Sequence, residues 1–223
     1  MRHPALVALS LAALPLAADW KVTTVTTHGD IRSIETEYFK NGMRRWDNTS
    51  HVSVLDQPGM RSINWDLEKR EYLIQPLQPP QQATESGPAI VINVETTDTG
   101  ERSTIFGREA RRLITVERRS ESETRTDGWY IDSQSLPPQF RRYRVAVLTF
   151  GPSQRQPRIE INRRGIEKTG IPVSVTITST STLPDGQRKD IQRTVEVTDL
   201  FEGELDPALF QPPPGFRRVG NFP

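Results

Sequence analysis

The chain is expected to fold as a mainly β protein, an open and curved antiparallel half-barrel with short helices or an irregular segment as a lid. Two observations carry that expectation. Turn signals recur about every ten residues along the chain. Between them, apolar residues alternate with polar ones, as they do in a sheet covered on one side. A third observation bounds the rest: among the 223 residues there is no cysteine, and 29 basic side chains face 28 acidic ones. No disulfide framework, zinc ribbon or thiol chemistry is possible. A near-neutral chain also lacks the basic excess that nucleic-acid binding needs. Of the basic residues 24 are arginine, which reads as compositional bias of the genome rather than a phosphate-reading surface.

The first element is a targeting segment. Arg2 and His3 precede an apolar run from Ala5 to Leu14, and small residues at Ala17 and Ala18 come just before the first acid, Asp19. This pattern is that of a Sec-type signal peptide over residues 1–18, cut after Ala18. The run is far shorter than the ~20 residues a spanning helix needs, so no transmembrane anchor is expected in the mature chain. No Cys stands at the cut to accept a lipid. The mature protein, residues 19–223, is expected to be one β domain in the periplasm or secreted.

The strands follow in order. Residues 20–27 are rich in Val and Thr and end at His28-Gly29-Asp30. Residues 31–39 and 43–48 flank Lys40-Asn41-Gly42, whose Asn-Gly pair suits a tight hairpin. Val52 and Val54 alternate with polar neighbours up to Gln57-Pro58-Gly59. Ile63 and Trp65 lie on one strand and Tyr72 and Ile74 on the next, with residues 66–70 turning between them. A Pro/Gln-rich loop fills 77–88. Ile90, Ile92 and Val94 form the next strand, turning at Asp98-Thr99-Gly100. Residues 107–123 mix helical and strand spacing and are read as a long strand. The clearest hairpin places Ile171, Val173, Val175 and Ile177 opposite Ile191, Val195 and Val197 around Pro184-Asp185-Gly186. Residues 134–170, proline- and arginine-rich around an apolar stretch at 145–150, are read as one buried strand with irregular or short helical cover.

Catalytic patterns are sparse. The chain has no nucleophile elbow, phosphate loop, H-E-x-x-H or EF-hand. His28 and His51 fall in separate strands or turns, so no metal or other cofactor is expected. Asp127 and Asp132 bracket Trp129 and Tyr130, a pair of carboxylates beside aromatics that suits sugar chemistry; their turn-like surroundings favour a structural role, and no enzymatic activity is expected.

Aromatic residues are the best candidates for a site. Trp46, Trp65, Tyr72, Trp129, Phe140, Tyr143 and Phe150 fall on successive strands or on the cover segment. They either line an apolar ligand cavity or fill the space as an ordinary core, and the residues alone favour the core. Alternation predicts Trp46, Trp65 and Trp129 together on the concave, oily face beneath residues 134–170, because each has polar or small neighbours in sequence.

Several short motifs recur in a telling order. They are Tyr38-Phe39-Lys40-Asn41-Gly42-Met43-Arg44, then Ile63 to Pro76 in the pattern I-x-W-D…Y-L-I-x-P, then Ile105-Phe106-Gly107-Arg108-Glu109-Ala110. After them come Thr126-Asp127-Gly128-Trp129-Tyr130-Ile131-Asp132, Gly170-Ile171-Pro172-Val173, Val195 to Leu200, and a closing Leu205-Asp206-Pro207-Ala208-Leu209-Phe210 that runs on to Gly215-Phe216. The set resembles exported bacterial domain-of-unknown-function families that neighbour the outer-membrane lipoprotein carriers, the LolA/LolB-like superfamily. The resemblance implies the half-barrel with its lid and a binding or carrier task for a hydrophobic or lipid-like ligand. The thiol that many relatives carry after the Ile-x-Gly is absent here, where Arg108-Glu109-Ala110 follows. None of the carriers' lipoprotein-handling residues maps to a named position. The alternative expectation is a cell-envelope protein-interaction or sensor module with no small ligand.

Overall fold

The computed structural model describes residues 18–77, 89–132, 136, 158–183 and 185–221. Thirteen strands make one open, curved sheet. They are β1 (Asp19–His28), β2 (Ile31–Lys40), β3 (Met43–Asp47), β4 (His51–Asp56), β5 (Arg61–Asp66), β6 (Glu71–Pro76), β7 (Ile90–Ile105), β8 (Arg108–Arg118), β9 (Ser122–Ile131), β10 (Ile159–Gly165), β11 (Ile171–Thr182), β12 (Arg188–Gly203) and β13 (Arg217–Arg218). The spatial order is β10-β7-β8-β9-β11-β12-β1-β2-β3-β4-β5-β6-β13. Neighbours run antiparallel except at the two edges, where β10 joins β7 and β13 joins β6 in parallel. The half-barrel that the alternation predicts is the observed architecture.

Turn chemistry sets much of this. Asn41 and Gly42 both take positive φ, 47° and 79°, which is what a two-residue hairpin between β2 and β3 requires. The turn expected at Asp98-Thr99-Gly100 is instead an irregularity inside β7. The strand runs on to Ile105, and its register against β8 shifts between Asp98 and Arg102. Asp98 still behaves as a turn residue, accepting from Gly100 N at 2.8 Å, but the extra residues are absorbed as a bulge. The reversal itself comes at Phe106 and Gly107, both at positive φ.

Residues 134–170 also differ from expectation in part. Ile159–Gly165 is not cover but the edge strand β10. Its Ile159 and Ile161 alternate with polar residues, a strand signal masked by the arginines around it. The stretch 145–150 lies outside the described residues, as do most of 77–88 and residues 1–17.

The core divides into clusters, and consecutive residues of β2 belong to different ones. Phe39 joins Trp20, Val22, Ala110, Ile131, Leu136, Ile171, Val173 and Val197. Tyr38 packs instead with Val52, Val54, Ile63, Trp65, Leu205 and Phe210. Cross-strand register explains this. Trp20 pairs with Phe39 and Lys21 with Tyr38, and alternation sends those two pairs to opposite faces. The sheet therefore buries one face along β1 and its neighbours and the other face along β3 to β6. A bulge in β11 between Pro172 and Ser174 similarly separates Val173 from Val175, which packs with Leu113 and Tyr130. The shared parity of Ile171 to Ile177 thus does not make one continuous oily stripe.

Candidate functional site

The structure separates the aromatic residues singled out from the sequence. Trp65, 1% exposed, pairs with Tyr72 across β5 and β6. Among the described residues, that face is covered by residues 205–216. Asp206 caps a single 3-10 turn, Pro207–Phe210, accepting from Ala208 N at 2.8 Å. The turn lowers Leu205, Leu209 and fully buried Phe210 onto Trp65, and Phe216 follows. Arg45 lies between, its guanidinium 5.2 Å from the Tyr38 ring and 5.4 Å from the Trp65 ring. Arg45 holds Asp47 and donates to Leu209 O. Among the described residues, Trp65 Nε1 finds no hydrogen-bond acceptor.

Trp46 does not share that face. It pairs with Ser53, and Ser53 pairs with Asn64, whereas Trp65 pairs with Val52. One residue of offset on a strand is one change of side, so Trp46 looks the other way, half-buried beneath the Arg44 guanidinium at 5.5 Å. The expectation of three tryptophans on one face is corrected by this register. Phe140, Tyr143 and Phe150 lie outside the described residues.

Trp129 belongs to the first cluster, packing against its edge together with Ile105 and Leu200. Leu136, from the segment beyond β9, is buried there at 1% exposure. Arg108 stands over the Trp20 ring at 5.1 Å and pairs with Glu202. Trp20, Phe39 and Arg108 were not singled out from the sequence as site residues. The signal was present in Tyr38-Phe39: two adjacent aromatics on one strand require both faces to be covered.

Beside Trp129 the surface becomes polar. A groove of about 390 Å³ is lined by Arg112, Arg125, Asp127, Gly128, Trp129, Ser174, Thr176 and Thr178. Arg112 grips Asp127 with two hydrogen bonds, 2.9 and 3.1 Å, and reaches Glu101 at 2.9 Å. Arg125 adds a third contact to Asp127 at 3.3 Å. The Arg112 hydrogen bonds hold the Asp127 carboxyl below the usual carboxylate range. Asp127 sits within β9, not in the turn-like surroundings its sequence suggested. Asp132 is engaged elsewhere, by Thr169 at 2.7 Å and Arg111 at 3.3 Å. Each carboxylate has its own cationic partner, so the two do not form an acid–base pair on a shared site.

A third locus escaped the sequence reading. Lys168 lines a recess of about 270 Å³ with Val94, Thr96, Arg163, Arg164 and Ile166. Its ammonium lies 5.1 Å from the Tyr130 ring centre. Burial lowers the Lys168 pKa to about 8 and raises that of the neighbouring Glu117. Burial also pushes the Tyr130 phenol up. His28 and His51 stay apart, hydrogen-bonded to Gln192 O and Ser50 Oγ at 3.2 and 2.8 Å. Among the described residues no cluster of three His, Asp or Glu could hold a metal ion, and no helix is long and apolar enough to cross a membrane.

No protein-family model matches the chain, and a search of curated proteins finds no match.

Proposed function

We propose that the protein is an exported binding or carrier module that shelters a hydrophobic, lipid-like ligand. The ligand would lie against the face bearing Trp20, Phe39 and Trp129. The observation that carries the reading is Leu136. The chain leaves β9 and at once buries a leucine among Trp20, Phe39, Ile131 and Ile171, as a cover over this face would begin. The opposite oily face is already closed by residues 205–216, which leaves the Leu136 side as the one suited to a guest. A half-barrel with an oily face and a separate covering segment is a shape that accommodates an apolar molecule. Export rests on the pattern of residues 1–18, and β1 begins at Asp19, the first residue after the expected cut.

Native mass spectrometry of the full chain, expressed in a bacterium and recovered from the periplasm, tests the reading. A co-purified lipid mass is expected, together with N-terminal sequence starting at Asp19. Titration with palmitate should move the tryptophan emission, and Leu136→Asp should weaken that response. Absence of lipid together with emission unmoved by palmitate would remove the carrier reading. The envelope-interaction reading would then take its place; it is favoured by the filling of the Trp65 face with the chain's own side chains.

A further inference from the structure

We infer that the groove beside Trp129 is a binding site for a neutral saccharide. The inference goes beyond the carrier reading: both touch Trp129, but this one uses the polar surface that continues from the indole along β9 and not the oily cluster beside it. Register builds the site across three strands. Trp129 on β9 has Arg112 of β8 on one side and Ser174 of β11 on the other. Two residues further along β9, Asp127 faces Thr176, and Arg125 then faces Thr178. Alternation puts all of these on one face, with successive rungs about 7 Å apart. Gly128 lets the strands close beneath them: a Cβ there would come 2.5 Å from Ser174 O.

The charges decide the class of ligand. Two guanidinium groups, Arg112 and Arg125, meet two carboxylates, Asp127 and Glu101, in hydrogen bonds of 2.9 to 3.3 Å. The groove is therefore neutral overall. An anion such as phosphate would have to displace a carboxylate that is already held by a two-pronged contact, the stronger kind of ion pair. A lipid tail would find one apolar wall, the indole, and polar groups elsewhere. A sugar ring matches both parts. Its C–H face lies against an aromatic surface, and its hydroxyls both donate and accept. The groove offers fixed N–H donors on the arginines, carboxylate acceptors, and hydroxyls on Ser174, Thr176 and Thr178 that do either. The ion pairs hold the planar groups in place before a ligand arrives, which lowers the ordering cost of binding. The Arg112 hydrogen bonds hold Asp127 below the usual carboxylate range, so this carboxylate keeps its charge, and its grip on Arg112, at both pH 5.5 and 8.

Isothermal titration of the full chain with cellotetraose, chitotetraose and maltotetraose tests this. At least one should bind with a Kd below about 1 mM, equally at pH 5.5 and 8. Trp129→Ala should weaken binding at least about tenfold. Because Trp129 also touches the core, Thr176→Val is the second variant: it keeps the side chain's shape on a half-buried position and should weaken binding several-fold with an unchanged melting temperature. Failure of all three tetrasaccharides to bind at about 5 mM, or wild-type affinity in both variants, overturns the inference. So does binding of inorganic phosphate or palmitate to this groove in place of the sugars. Palmitate bound at the Leu136 face leaves the inference standing, and loss of that lipid binding alone does not touch it.

Discussion

Lys168 is the residue whose burial has the plainest thermodynamic cost. Its ammonium sits in a recess against Tyr130 and Glu117, and its pKa falls to about 8 from the ordinary 10.5. In the unfolded chain the amine holds its proton up to about pH 10.5. The folded state therefore binds fewer protons between those values, and stability rises with pH across that window. Below pH 8 the desolvation penalty is present in full. Lys168→Met should be more stable than the parent at pH 7 by about 1–3 kcal/mol, with the gap closing toward pH 10. Glu117 and Tyr130 flank the amine and Arg163 and Arg164 line the same recess; with the ammonium gone Glu117 loses one of its cationic neighbours, which trims the gain. Urea denaturation of both proteins at pH 7, 8.5 and 10 checks it; a gap that widens with pH would contradict this account. Nothing in sequence marked Lys168, because a lysine between Glu167 and Thr169 reads as solvated loop until β7, β9 and β10 enclose it.

At the scale of elements, the end of the chain works as a cover and not as a tail. Asp206-Pro207 starts a turn that places Leu209 and Phe210 over Val54, Ile63 and Trp65. Phe210 is fully buried, so Phe210→Ala should cost about 3–5 kcal/mol and shift tryptophan emission to the red as water reaches Trp65. A loss below about 1 kcal/mol would mean that the segment rests on the sheet without sealing it. The strands of this half were legible in sequence: Val52 and Val54, Ile63 and Trp65, and Tyr72 and Ile74 lie where alternation and turn residues placed them. What covers them was less so. A covering segment has no period of its own, and Leu205-Asp206-Pro207-Ala208-Leu209-Phe210 announces a short turn without saying which face it meets. The edge strand β10 was hidden for a related reason, since its parallel partner β7 lies more than sixty residues away in sequence and no local hairpin points to it.

For the whole molecule, alternation within each strand gave the fold class, but not how faces join from strand to strand. The bulges in β11 and in the β1–β12 pairing each reset the parity, and neither is visible as a break in the apolar pattern. Trp46 and Trp65 are apart for a simpler reason, the one-residue offset of β3 against β5 through β4; the polar groove beside Trp129 went unseen because it depends on Arg112, Asp127 and Ser174 being brought into line by pairing. The ends of the described chain are also tied. Asp19 accepts from Lys40 Nζ at 2.6 Å and from Leu205 N at 2.9 Å, joining the first strand to the start of the C-terminal cover. The two oily faces are thereby mechanically linked through β1 and β2, and unfolding should be a single transition. Ile63→Ala, in the Trp65 cluster, should therefore lower hydrogen-exchange protection of amides near Trp20 and Val22 by about the same free energy as near Val54, about 1–3 kcal/mol. Protection lost near Val54 alone would show two independently opening halves.

The placement of Tyr38 and Phe39 in opposite cores has a consequence for errors of assembly. In a sheet with one dry side, a strand that pairs one residue out of step exchanges its inner and outer sets once. In β2 the same slip would withdraw Phe39 from Trp20 and Tyr38 from Val54 together; one direction puts Glu37 in the place of Tyr38, the other puts Lys40 in the place of Phe39, and in each case the remaining aromatic lands in a site shaped for the other. A strand whose first residues, Ile31 to Glu35, are largely exposed thus has its alignment proof-read from both sides at once. The fold can tolerate substitution along most of β2, but a single inserted or deleted residue between Thr36 and Lys40 would be penalised twice over.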